Sequence, residues 1–363
     1  MISASRAILL TPPGSAAIAV IRLMGPAVVG FVRGHFSGPW KPGRPIHGQL
    51  SEGGRNLDDP VIVVSADGGL ADVSVHGGPW VVRSVLELAG RAGFEVVGNG
   101  TAPVPLEAVD GETVLDREVG AVIPLAKTEL GLCVLLSQVE AWREFCERAP
   151  RERDLSEQIG CILCDRGLFW LLHTPRVAIV GVPNVGKSTV ANQLFGQKRS
   201  ITADVPGTTR DWVGEMANLD GLAVMLVDTP GVVATEDRID REAIEHAAGQ
   251  IEGADLVVVV LDATQPVRGQ RVLTGLGRGQ LTIINKCDQP GAWDTQGVKG
   301  TQISALSGQG IDEVRRAIRK HFDCEGMKAG VPRWWTDRQK EVLERAAQTV
   351  SGAAEVLSSE FRV

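Results

Sequence analysis

Residues 181–189 read "GVPNVGKST", a G-x-x-x-x-G-K-S match running from Gly181 to Ser188. Glycines at that spacing let a backbone curl until successive N–H groups face one anion, and the lysine that follows brings a mobile positive charge to it. The pattern predicts a phosphate cradle made by Asn184, Val185, Gly186, Lys187, Ser188 and Thr189. Lys187 would reach the β- and γ-phosphates of a nucleotide, and the Ser188 hydroxyl would ligate its magnesium ion. The stretch stands between the strand-like "RVAIVG" and the helix-like "TVANQLF", so a helix N-terminus adds positive potential at the same place.

A second constellation selects the base. Asn285-Lys286-Cys287-Asp288 ends the strand-like "LTIIN". A carboxylate there accepts hydrogen bonds from the N1–H and the exocyclic amine of guanine, whereas adenine lacks that donor pair and leaves the carboxylate unpaired. Asn285 is expected to brace the loop and reach the N7 side, and the Lys286 stem to lie over the ring. "ISAL", with Ser304 and Ala305, is expected to aim a backbone amide at O6.

Between these two motifs lie residues suited to sensing a γ-phosphate. Thr208 and Thr209 sit in the polar "ITADVPGTTRDW", where one threonine can complete a magnesium shell, and Thr209 is the favoured one. Asp228 ends "LAVMLVD", the position from which a carboxylate binds a magnesium water, and the Gly231 amide follows in "DTPG". Val232 then stands where many GTP-hydrolysing switches carry a glutamine that orients the attacking water. Valine cannot do this. Two substitutes are open: a carboxylate among Glu236, Asp237, Asp240 and Glu242, or a cation placed where other GTPases use an arginine finger. Asn184 suits the second, since its side-chain carbonyl can ligate a monovalent ion beside the nucleotide; it can equally brace its own loop by a hydrogen bond.

These groups need a scaffold that brings strand ends together. From about residue 175 to 323, "RVAIVG", "LAVMLVD", "DLVVVVLDA" and "LTIINK" alternate with helical stretches, the signature of a parallel sheet covered on both faces. Residues 173–330 are therefore read as an α/β, three-layer nucleotide domain with a mostly parallel sheet, its motifs at the strands' carboxyl ends. Asp220-Gly221 marks a hairpin turn between "EMANL" and "LAVML". Residues 1–118 read as an α+β domain, with "AIAVIRL" and "VIVV" as strands and "DVSVHGGPW" running from a strand into a helix opened by Pro79. Residues 119–172 read as the first part of a helical domain. Residues 331–363 supply its last helix, opened by a Thr336–Gln339 capping box and striped by Val342, Leu343, Ala346, Val350, Ala353 and Leu357. That helix is expected to fold back onto residues 119–172, which makes the nucleotide domain an insertion in a helical one.

Composition narrows the classes. The chain has 363 residues, 44% hydrophobic and 22% charged, which suits two or three globular domains. A formal net charge of -7 argues against a general polyanion binder. The longest aliphatic run, Leu256 to Leu261, falls far short of the roughly 20 residues that span a bilayer, so a cytoplasmic protein without membrane contact is expected. Six dispersed cysteines make no disulfide framework, and Cys161 and Cys164 are read as helical neighbours facing the core.

The motifs and much of the remaining chain resemble the MnmE (TrmE) family of tRNA-modifying GTPases. The likeness is carried by "TPPGSAAIAVIRLMGP" at 11–26, "DVSVHGGPWVVRSVLEL" at 72–88, "GVPNVGKST", "VPGTTRD", "DTPG", "NKCD" and "SAL". It implies a folate-binding, dimer-forming N-terminal domain and a GTPase domain inserted in a helical one. It further implies potassium held by Asn184 and the loop ahead of Gly207-Thr208-Thr209, paired nucleotide domains, and an acidic residue that positions the water, here Asp240. An MnmG-like flavoprotein and the wobble uridine of certain tRNAs are the implied partners. The chain departs from the family pattern in three places. Asp240 stands where the family has glutamate; "GNGTAPVPLEAVDG" stands near the family's F-x-N-G-K stretch; and the chain ends "SSEFRV" where the family has a C-x-G-K motif.

The resulting expectation is a homodimeric, magnesium-dependent and potassium-stimulated GTP hydrolase with Lys187, Thr209 and Asp240 as its catalytic residues, taking a tetrahydrofolate derivative only if the altered first domain keeps that site. The alternative is a GTP-controlled switch, such as a ribosome-assembly GTPase, without tRNA chemistry.

Overall fold

Alternation of apolar and polar side chains builds the first sheet. Its strands are Arg6–Leu9 (β1), Ile18–Met24 (β2), Ile46–His47 (β3), Val61–Val64 (β6), Leu70–His76 (β7) and Glu95–Val97 (β8), while Leu50–Glu52 (β4) and Arg55–Asp58 (β5) form a separate hairpin. The order is β3-β6-β7-β2-β1-β8, antiparallel except for the parallel β1–β8 pair. Along β1, Ala7 and Leu9 join one apolar cluster and Ile8 the other, as a period of two requires. The helices Val28–His35 (α1) and Pro79–Arg91 (α2) bury Phe31, Val85 and Leu88 in the first cluster. Val114–Val122 (α3), opened by a reciprocal Thr113–Asp116 capping box, brings Ala121 to the second. On that second face Arg22 and Asp72, opposite one another on β2 and β7, form an ion pair at 2.7 Å.

This computed structural model describes residues 4–11, 17–39, 41–97, 109, 113–195, 215–228, 253–267, 270, 279–349 and 352–361, with the side chains of Asp228 and Gln296 excepted. Contacts divide the chain into two compact units, one running up to Leu125 and including Phe361, the other from Ala126 to Glu360.

The second unit begins with helices Glu129–Leu136 (α4), Gln138–Arg148 (α5), Leu155–Cys164 (α6) and Gly167–Leu172 (α7). The chain then alternates: Arg176–Val180 (β9), Lys187–Phe195 (α8), Glu215–Leu219 (β10), Leu222–Asp228 (β11), Leu256–Asp262 (β12), Gln280–Asn285 (β13), Thr301–Gln302 (β14) and Ile311–His321 (α9). The sheet order is β10-β11-β9-β12-β13-β14, parallel except for the β10–β11 hairpin. Every residue of β12 is buried, as expected of a strand covered on both faces. The hairpin turns through Asp220 and Gly221, both at positive φ, and the Thr128 hydroxyl at the start of α4 donates to Gly221 O at 2.6 Å.

After α9 the chain returns to the helices. Gln138 receives the Arg333 N–H at 2.8 Å and donates to Val331 O, the Trp142 indole donates to Arg333 O, and the Trp334 indole donates to Leu163 O. Arg333, buried, also pairs with Asp165 at 2.9 Å. The last segment is two helices rather than the one expected, Asp337–Gln348 (α10) and Ala353–Glu360 (α11). Thr349 leaves the helical region at ψ 112°, and Gly352 takes φ +101°, which folds α11 back against α10. The expected capping box also changes. Thr336 accepts from the Gln339 N–H, but the Gln339 carboxamide reaches back to the Trp335 N–H. Cys161 and Cys164 are exposed, not core-facing, because Ile159 and Ile162 take the buried side of α6.

Candidate nucleotide-binding site

The phosphate loop joins β9 to α8 at the carboxyl edge of the second sheet. Gly186 has φ +97°, and a Cβ there would stand 2.5 Å from Asn285 Nδ2, so no side chain fits. A Cβ at Gly181 would meet Val260 O at 2.7 Å, which forces glycine where the loop crosses β12. Lys187 is buried, and its ammonium donates to Gly181 O and Val182 O, each at 3.2 Å, within the cradle it closes. Ser188 and Thr189 stand exposed on the first turn of α8, where the orientation of the N–H groups and the helix dipole favour an anion. Asn184 takes φ +60°, and its carboxamide has no hydrogen-bond partner among the described residues.

Asn285 connects this loop to the base side. Its Nδ2 donates to Val185 O at 2.9 Å and its Oδ1 accepts the Ala305 N–H at 2.9 Å, with the side chain buried. Asn285 thus links the phosphate loop to the 304–305 segment, and the Ala305 N–H expected near O6 is given to Asn285 Oδ1 here. Ser304 is buried, its N–H bonded to Gln309 O, and Gln193 of α8 donates to Ala305 O at 2.9 Å. Lys286 adopts φ +65°, which turns its stem back over the sheet edge. Its ammonium reaches Asn184 O at 3.0 Å and Asp262 Oδ2 at 2.6 Å. Cys287 is half-buried, and burial pushes its thiol upward in pKa. Asp288 is exposed, with no hydrogen-bond or ion-pair partner among the described residues.

Asp262 is the group that sequence reasoning missed. It ends β12 opposite Asn285 of β13 and is 2% exposed. Burial works to raise its pKa, but hydrogen bonds from Lys286 and Thr264 outweigh that and hold it below the usual carboxylate range. The available signal was a single acid closing the seven-residue apolar run of β12.

The structure thus joins Val185, Gly186, Asn285, Lys286, Ala305 and the Asn184 backbone by direct contacts or hydrogen bonds, with Lys187, Ser188 and Thr189 following in the same loop. Asp228 ends β11 beside Ile179 of β9, one strand from the cradle. Thr208, Thr209, Gly231, Val232, Glu236, Asp237, Asp240 and Glu242 lie outside the described residues. A polyphosphate can be held by the N–H groups and Lys187 here, and a planar base by the 285–288 loop beside it. No cluster of three metal-ligating side chains occurs among the described residues, and no described helix is long and apolar enough to cross a membrane.

Comparison with known proteins places this geometry. Residues 176–286, from β9 through the base loop, match the family model described as 50S ribosome-binding GTPase. Nearly the whole chain is similar to proteins named tRNA modification GTPase MnmE. It is 31% identical to that of Thermotoga sp. (strain RQ2), covering 92% of this chain and 86% of that one. The Thermus thermophilus protein is 30% identical, with 94% and 88% covered, and the Aquifex aeolicus protein 28% identical, with 97% and 88% covered.

Proposed function

The chain belongs to the MnmE family of tRNA modification GTPases and is a GTP hydrolase, and from that premise we propose how its own residues do the work and on what. The single observation that most supports this reading is the Asn285 carboxamide, bonded on one side to the phosphate loop at Val185 and on the other to Ala305. It ties the anion cradle and the 285–288 loop into one site. Lys187 neutralises the β- and γ-phosphates, Asp288 accepts from the guanine N1–H and amine, and the Lys286 stem covers the ring.

GTPases use magnesium with their nucleotide. The hard oxygen donors that would hold it are the Ser188 hydroxyl, Thr209 and Asp228; bound there, the ion would offset phosphate charge. Ser188 fits, standing exposed on the first turn of α8. Asn184 would hold potassium, and its carboxamide, on a left-handed backbone and without a hydrogen-bond partner among the described residues, supports that use over loop bracing. Asp240 would orient the water that Val232 cannot. Two copies of the chain, an MnmG-like flavoprotein and tRNA complete the proposal. A tetrahydrofolate derivative is not carried into it, because the stretch standing near the family's F-x-N-G-K lies, apart from Val109, outside the described residues.

A ribosome-assembly role is not favoured. The model bearing a ribosomal name matches residues 176–286 alone, whereas likeness to tRNA modification GTPases extends over 92% of the chain. The test is mass spectrometry of tRNA nucleosides from cells lacking the protein. Loss of the wobble-uridine modification, restored by the wild-type chain and not by Lys187→Ala, is expected; unchanged nucleosides would refute the tRNA role.

A further inference from the structure

Asp262 belongs to neither sequence motif, yet both of its carboxylate oxygens are held at the site. Its Oδ1 accepts from the Thr264 N–H at 2.8 Å and the Thr264 hydroxyl at 2.6 Å, and its Oδ2 accepts from the Lys286 ammonium at 2.6 Å. Its backbone is fixed as well. Gln270 accepts from the Asp262 N–H and donates to its carbonyl, which the Trp293 indole also reaches at 3.0 Å. A carboxylate 2% exposed at the end of an apolar strand is costly unless paired, so its presence needs a reason beyond packing.

The partner is less constrained. The Lys286 side chain is 28% exposed, and a lysine stem otherwise samples many rotamers. With its ammonium held by Asp262 and Asn184 O, and its backbone in the left-handed region, the stem has one path, across the face on which a base beside Asp288 would lie. Fixing it beforehand removes an ordering cost from binding.

We propose that Asp262 is a positioning residue for guanine recognition: its carboxylate anchors the Lys286 ammonium so that the lysine stem is already laid over the base site when nucleotide arrives. This rests on the nucleotide reading given above, and it adds a determinant of affinity that lies outside the G-x-x-x-x-G-K-S and N-K-x-D motifs.

The test measures GDP dissociation constants for the full chain carrying Asp262→Asn, Lys286→Met or both, with pyrophosphate as a base-free competitor. Lys286→Met keeps the apolar stem and removes the anchored charge, leaving Asp262 with the Thr264 hydrogen bonds. Each single variant should weaken GDP about tenfold, the scale of ordering one long side chain. Asp262→Asn should leave pyrophosphate within about twofold, and the double variant should match Lys286→Met. Three results would overturn the proposal: Lys286→Met binding GDP like wild type, an Asp262→Asn loss shared equally by pyrophosphate, or losses that multiply in the double variant. Should Asp262→Asn fail to fold, Lys286→Met decides alone. Failure of the wild-type chain to prefer GDP over ADP would instead overturn the nucleotide reading itself.

Discussion

Asn285 donates through Nδ2 to Val185 O at 2.9 Å, spanning 100 residues of sequence to tie the base loop to the phosphate loop. Because its Oδ1 is committed to the Ala305 N–H as well, the side chain is a strut with both ends loaded. Asn285→Ala would leave two buried backbone groups unpaired. A loss of about 2–4 kcal/mol in stability is expected from two such groups, with GDP affinity falling by at least about tenfold. Chemical denaturation and calorimetry would check both. A variant as stable as wild type would contradict the strut.

Asn184 gives the second prediction. Its carboxamide, without a hydrogen-bond partner among the described residues and on a backbone at φ +60°, is available to a monovalent ion beside the nucleotide. Replacing sodium by potassium should raise GTP turnover several-fold. Asn184→Ala should abolish that difference while leaving GDP affinity within about threefold of wild type, since the loop N–H groups persist. Equal turnover in both salts for the wild-type chain would contradict a potassium role.

A third prediction concerns the first unit. His76 Nδ1 lies 2.6 Å from Asp58 Oδ1, and the His76 N–H donates to Asp58 Oδ2 at 2.8 Å. The hydrogen bond to Asp58, followed by its charge, raises the His76 pKa above 6.5. A folded value above the unfolded one means that the pair's contribution is fully present below pH 6.5 and is lost as pH rises through the folded value. An NMR titration should place His76 above 6.5, and Asp58→Asn should return it toward 6.5. A wild-type value at or below 6.5 would contradict the pairing.

The parts legible in the sequence were those where chemistry fixes neighbouring positions. Residues 181–188 and 285–288 each compress a loop geometry into a few residues, and Gly186 shows why, since any Cβ would strike Asn285. The run "DVSVHGGPW" announced β7 and the start of α2, and the Asp220-Gly221 pair announced the β10–β11 hairpin. Features that depend on distant partners were not legible. Asp262 meets Lys286 across 24 residues, and nothing in "LDATQP" names that lysine. The apolar stripe of 342–357 runs unbroken through Gly352, whose positive φ splits it into α10 and α11. The Cys161–Cys164 spacing fixes only that the two share a helix face; the better apolar pair, Ile159 and Ile162, decided which face was buried.

The most direct test of the site is an exchange of base specificity at Asp288. A carboxylate accepts from the N1–H and amine of guanine, whereas an asparagine can donate to the C2 carbonyl of xanthine while accepting from its N1–H. Calorimetry should find that the wild-type chain binds GDP at least about a hundredfold more tightly than ADP. Asp288→Asn should lose GDP and gain xanthosine diphosphate. Equal wild-type affinity for GDP and ADP, or an Asp288→Asn variant that still prefers GDP to xanthosine diphosphate, would contradict the assignment of this site to guanine.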